Sequence, residues 1–289
     1  MNKVKQLVVF LILLNFFSCQ SQKTDREIED EFVQKYAPAN LNTHGFTLAV
    51  DSKVPEVHQL FNDLEANFYY YGDKEEFEKK AAKILELDPD YPSGVLMSGF
   101  YVTDPEEYKK MVTKAYNLSK KSTLKSERDI MQAEYSLLVE EDYSKAQKYF
   151  QKVVDMYPDS AAAIWSLGMA YYYADELDKA LECYKKSTEL IQDLPKGYEF
   201  MSVIYYQKKQ YKKALEYLEI AKKHGAKSEN DIYFSEYENI VYYKNGFYDK
   251  TMKSIEKAYT YGEHYKNSES LKKTYDVAKA KLDSIQSSN

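Results

Sequence analysis

The chain has 289 residues, with 30 tyrosines against 9 glycines and 7 prolines, and a formal net charge of −6. No overall basic field favours nucleic acid, and the aromatic content is too high for a disordered chain. The shortage of helix breakers beside abundant Lys, Glu, Ala and Leu favours helices over sheets, and the length suits an extended array better than one compact core.

The first element stands apart. Lys3 and Lys5 precede the apolar run "QLVVFLILLNFF" at 6–17, and Ser18 and Cys19 come next. A basic start, a short apolar run and a small residue make the pattern of a secretory signal. The run falls short of the roughly 20 residues that a spanning helix needs. "FFSCQSQ" resembles the lipobox of bacterial lipoproteins, which is cleaved just before a lipidated cysteine, and here that residue is Cys19. Phe16 stands where Leu is most common in that motif. Acylation needs a thiolate nucleophile, and no other Cys lies near the N-terminus. The resemblance implies a signal peptide over 1–18 and a lipid-anchored protein of the bacterial cell envelope. Gln20, in place of the Asp that retains some lipoproteins at the inner membrane, implies the outer membrane. With Cys19 acylated, Cys183 is the one remaining thiol, so no intramolecular disulfide can form.

Residues 19–56 read as a tether and linker. "QSQKTDREIEDE" is polar, as a segment leaving a membrane surface should be. Pro38, Gly45 and Pro55 then interrupt a stretch without a period, which holds a strand-like piece at "GFTLAV". The alternative is that this segment packs against the first helical hairpin of the next region, as an N-terminal cap.

From residue 57 the chain repeats. "YYYADELDKALECYKKS" at 171–187 aligns without a gap to "YYQKKQYKKALEYLEIA" at 205–221, which pairs Tyr171 with Tyr205, Tyr172 with Tyr206, Ala180 with Ala214 and Leu181 with Leu215. The offset of 34 is a period of helical-hairpin repeats. The same small-residue position recurs at Phe77, Met111, Ala146, Ala180, Ala214 and Thr251, in steps of 34, 35, 34, 34 and 37. "WSLGMAYYYADELDKALECYKKS" resembles the tetratricopeptide repeat, with Leu167, Gly168, Tyr171, Ala180 and Tyr184 at that family's positions and Trp165 one residue late. Gly168 and Ala180 let two helices approach closely, while the larger side chains fill the space between them. The implied fold is all-α: a right-handed α-solenoid of about six helical hairpins over 57–265. Residues 266–289 form a capping helix and tail, the amphipathic "SESLKKTYDVAKAKLDS" shielding the last apolar edge.

Catalytic constellations are missing from the sequence. His44, His58, His224 and His264 have no metal-ligand spacing. No phosphate-cradling glycine loop, nucleophile elbow or paired zinc histidines occur. Cys183 reads as a half-buried small hydrophobe, and the recurrent lysine doublets read as a solvated outer face. The expectation is no enzyme, no cofactor, no metal and no small-molecule substrate.

In the family resembled, first helices line a concave groove that takes partners. The corresponding positions here are Tyr69, Thr103, Leu138, Tyr172, Tyr206 and Tyr243, with Trp165, Met169 and Tyr173 beside them. Tyrosine gives apolar area plus a hydroxyl at low entropy cost, which suits recognition; abundance alone would equally make it packing filler. The Lys and Asn clamp that some members use on C-terminal carboxylates is replaced by Met131, Tyr135, Trp165, Met169, Glu199 and Val203. The function expected is a membrane-anchored scaffold or adaptor that holds a protein or peptide partner through a Tyr-rich groove. Two alternatives remain. One is a carbohydrate- or peptidoglycan-associated binding protein. The other is a regulatory subunit of an envelope machine that works through its convex face, where Lys208, Lys209, Lys212 and Lys213 would matter.

Overall fold

In a computed structural model, residues 23–287 are described, apart from 45, 47 and 230. Cys19 and the apolar run at 6–17 lie outside the described residues. Among the described residues the structure is all-helical, with fifteen helices and no strand. None of those helices is long and apolar enough to cross a membrane.

Helix α1 (Asp25–Tyr36) precedes six hairpins. These are α2–α3 (Pro55–Tyr69, Lys74–Leu87), α4–α5 (Pro92–Ser98, Pro105–Ser119), α6–α7 (Lys125–Leu138, Tyr143–Met156) and α8–α9 (Ala161–Tyr173, Leu177–Leu190). Then come α10–α11 (Pro195–Gln207, Tyr211–Lys223) and α12–α13 (Ile232–Lys244, Tyr248–Ala258). A short α14 (Glu263–Asn267) leads to α15 (Glu269–Gln286), which packs on α12 and α13 through Leu271, Thr274 and Ala278. From α2 to α13 each helix packs on the next in the chain, so the array is an α-solenoid.

Local chemistry marks the helix ends. Asp73, Asp104, Asp142, Ser160, Asp231 and Ser268 accept first-turn backbone N–H groups. Pro55, Pro92, Pro105 and Pro195 open their helices at the position where a missing N–H costs nothing. Inside the hairpins a single left-handed residue reverses the chain: Tyr71 (φ 56°), Glu141 (54°), Asp175 (59°), Lys209 (58°) and Gly246 (82°). The repeat period is therefore written into the turns as well as the seams.

The seams follow the small-residue track. Phe77 is 1% exposed, and Ala146, Ala180, Ala214 and Thr251 are completely buried. A Cβ added at Gly168 would sit 2.9 Å from Tyr184 Cε1 and 3.1 Å from Cys183 Cβ, so α8 and α9 meet where only a hydrogen fits. The second hairpin departs from the pattern. Its first helix has only 7 residues, Met111 is half-buried, and Val112 and Ala115 take the inner positions of α5.

The segment before the array differs from the tether reading. Thr24 and Glu27 form a capping box at the start of α1, and Phe32 and Val33 pack on the cluster around Leu124, Val153 and Tyr157. Among the described residues no strand forms at Phe46 or at 48–50, where Phe46, Ala49 and Val50 are buried. Later helices supply partners for polar and apolar groups of the described part alike.

Candidate functional site

The N-terminal segment runs along the first helices of four successive hairpins. Glu29 of α1 is 1% exposed and accepts from the Ser126 backbone N–H (2.8 Å) and hydroxyl (2.6 Å) at the start of α6, and from the Tyr157 hydroxyl. The Ser160 hydroxyl, at the cap of α8, donates to the Phe46 carbonyl. Phe46 stacks on Tyr69 of α2 with ring centroids 4.6 Å apart, and Tyr69 meets Trp165 of α8 edge-on at 5.4 Å. Beyond α2, the Tyr71 hydroxyl donates to Glu199 of α10, and its ring lies 5.2 Å from that of Phe234 in α12. The array thus closes on its own first hairpin.

A buried ionic knot holds that closure. Lys196 Nζ lies 3.2 Å from Glu199 and 3.0 Å from Asp231, and 4.0 Å from the centre of the Tyr71 ring. Burial leaves the Glu199 carboxyl raised, Lys196 offsetting only part of the rise. Burial disfavours the Lys196 ammonium, but Glu199 and Asp231 outweigh it and leave its pKa raised. The lysine stays charged because its two acids surround it.

This closure divides the predicted groove residues. Tyr69 and Trp165 are buried and serve as mutual packing partners. Met169 is half-buried and accepts from the Tyr184 hydroxyl through its sulfur. Tyr172, Tyr206 and Tyr243 are partly exposed, each the next-to-last residue of its first helix, and Tyr173 is exposed. Gln207 donates to the Tyr172 hydroxyl at 2.6 Å, while Tyr206 and Tyr243 each lean on the tyrosine that opens the next helix, Tyr211 and Tyr248.

Where the inner faces of the first four hairpins converge, a cavity of about 270 Å³ remains. Phe68, Tyr69, Phe100, Tyr108, Trp165 and Tyr173 give it aromatic walls, and three carboxyl groups reach it, Glu65 from α2 and Glu127 and Glu134 from α6. No Lys, Arg or His lines it. Glu127 accepts from the Ser93 backbone N–H and hydroxyl, both at 2.8 Å. Glu65 and Glu134 have no hydrogen bond or ion pair among the described residues. They keep partial accessibility as cavity-lining side chains, yet protein surrounds them. Burial drives the Glu65 and Glu127 carboxyls up to about 8 and that of Glu134 to about 7. The Trp165 indole N–H is buried without an acceptor. Sequence reasoning missed these acids. The available signal was glutamate on an apolar stripe: Glu65 lies between Phe61 and Tyr69, and Glu127 and Glu134 flank Met131, at helical spacing.

His58, His224 and Cys183 have structural surroundings. His58 donates from Nε2 to the Ser52 carbonyl at 2.8 Å, and burial lowers its pKa. His224 caps α11 and stacks on Tyr198. Burial raises the Cys183 thiol to about 11, so it is not a reactive thiolate. No group of His, Cys, Asp and Glu able to hold a metal occurs among the described residues.

Residues 137–202 match the sequence profile of the tetratricopeptide repeat. No curated protein matches the chain. Among solved structures, the chain is similar to one described as a Cut9–Hcn1 hetero-tetramer of the APC/C, at 18% identity and a TM-score of 0.59. That match covers 89% of this chain and 46% of the other, so the chain spans about half the length of that relative. It is also similar to pilF of Pseudomonas aeruginosa, at 14% identity over 78% of this chain and 95% of that one, with a TM-score of 0.43. At 18% identity the likeness to the first of these is one of fold.

Proposed function

We propose that the protein is a non-catalytic scaffold, anchored in a bacterial envelope by a lipid on Cys19, that holds a protein or peptide partner. The observation that carries the reading is the row of Tyr172, Tyr206 and Tyr243. They recur at one position of three successive first helices and remain partly exposed, whereas Tyr69 lies under Phe46 and Trp165 is enclosed by Phe68, Tyr69 and Phe200. Such a row offers apolar area and hydroxyls at the spacing of the repeat, which fits an extended segment laid across three hairpins. The partner site is thus confined to the C-terminal half of the array. The lipid anchor rests on the "FFSCQSQ" motif, and outer-membrane placement rests on Gln20.

The test is a photo-crosslinker placed at residue 206 in the native envelope. A discrete cross-linked polypeptide, lost when Tyr172 and Tyr243 are changed to alanine, supports the scaffold. Binding of isolated glycan strands that vanishes with the same changes would replace it by the carbohydrate reading. Cys19→Ala should abolish acyl labelling and release the protein from the membrane fraction; a variant that stays membrane-bound sinks the anchor.

A further inference from the structure

The cavity between the first four hairpins is shaped and charged for a ligand of its own, separate from the exposed tyrosine row. We propose that it is a binding site for a small apolar amine.

Size sets the first limit. An apolar cavity of about 150 Å³ accommodates benzene, so one of about 270 Å³ takes a ligand of roughly ten non-hydrogen atoms. The walls set the second. Aromatic faces attract a cation through their quadrupoles, most strongly where water is excluded. The polar groups set the third. Glu65 and Glu134 approach from two different helices with no protein donor, and no basic side chain of the lining can neutralise them. Empty, both are pushed toward the neutral acid by burial; one ammonium group supplies the counter-charge for one of them and restores that carboxylate while the other keeps its proton. Glu127, already engaged by Ser93, needs nothing further. Trp165 adds an aromatic face, its own indole N–H being buried against protein and out of a ligand's reach. The ligand therefore joins an ammonium group to a short apolar body. Its binding would stitch α2 to α6 and α8 across the seam where the array closes on itself.

Tyramine, with about ten non-hydrogen atoms, is a direct probe. In calorimetric titration of the purified full chain, tyramine should bind about tenfold or more tightly than 4-ethylphenol, which lacks the amine. Glu65→Gln with Glu134→Gln should erase that preference and leave 4-ethylphenol unchanged. Thermal melting of each variant checks folding; should the double variant not fold, Glu65→Gln and Glu134→Gln carry the comparison singly. Absence of saturable tyramine binding at millimolar concentration, equal affinity for 4-ethylphenol, or a preference that survives the glutamine changes would each overturn the proposal.

Discussion

Hairpins α8–α9 and α10–α11 and the segment from residue 23 to 71 are held in place by different physics. In the two hairpins the seams are built from local contacts: a helix meets the next one, alanines line the seam, and a left-handed residue turns the chain. In the N-terminal segment the decisive bonds join residues 97 to 128 positions apart, as Glu29 does with Ser126 and Tyr71 with Glu199. The hairpins are thus a one-dimensional stack, whereas the N-terminus converts that stack into a closed body. Breaking the long-range bonds should loosen the closure and leave the hairpins standing.

The largest effect belongs to Lys196. It is 6% exposed, and its removal leaves Glu199 and Asp231 without their cation in a buried site. Lys196→Met should cost about 3 to 5 kcal/mol in urea denaturation. Hydrogen exchange should rise first in α2 and α3, not in α8 and α9. A uniform loss of protection along the chain would show instead that closure and stack form one cooperative unit.

Glu29→Ala comes next. It strands the Ser126 N–H, the Ser126 hydroxyl and the Tyr157 hydroxyl, at a cost of about 2 to 3 kcal/mol. Limited proteolysis should then cut between residues 23 and 54 while the fragment from residue 125 onward persists. Survival of the N-terminal segment would mean that the apolar contacts of Phe32 and Val33 suffice alone.

These two sites also show what a sequence discloses. The offset of 34 made the hairpins, the seam at Ala180 and the close approach at Gly168 readable, because each depends only on neighbours one repeat away. Nothing periodic distinguishes Glu29 from the other acids of "DREIEDE", and its burial depends wholly on where Ser126 and Tyr157 arrive. The predicted groove shared that blindness. Tyr69 and Trp165 occupy groove positions by period, yet Phe46 of a non-periodic segment covers Tyr69 and neighbouring rings enclose Trp165, while Tyr172, Tyr206 and Tyr243 stay partly exposed. The cavity acids lay in plain view as glutamates on apolar stripes, but the stripe does not say that three of them converge.

Acid titration sharpens the comparison from within the closure. Glu65, Glu127 and Glu134 hold their protons more tightly folded than unfolded, their ordinary value being 4.5. Their stabilising contribution is therefore complete below about pH 4.5 and declines as pH rises to about 8. The empty protein should melt about 3 °C or more lower at pH 8.5 than at pH 6. Glu65→Gln with Glu134→Gln should reduce that slope to the part that Glu127 carries, since amides do not titrate. An unchanged slope in the glutamine variant would place the pH sensitivity outside Glu65 and Glu134.

The smallest effect tests the hairpins by their turns. Asp175 and Lys209 adopt a left-handed conformation in which a Cβ crowds the following carbonyl, whereas Gly246 meets the same demand without strain. Replacing either by glycine relieves about 1 to 2 kcal/mol of crowding but gives the unfolded chain more freedom. The net gain should be about 0.5 kcal/mol, read as a higher urea midpoint with unchanged slope. Gly246→Ala should shift the midpoint the other way by about 1 kcal/mol. Because each turn touches only its own hairpin, the changes at Asp175 and Lys209 should add. Combined with Glu29→Ala, they should leave the proteolysis of residues 23–54 untouched.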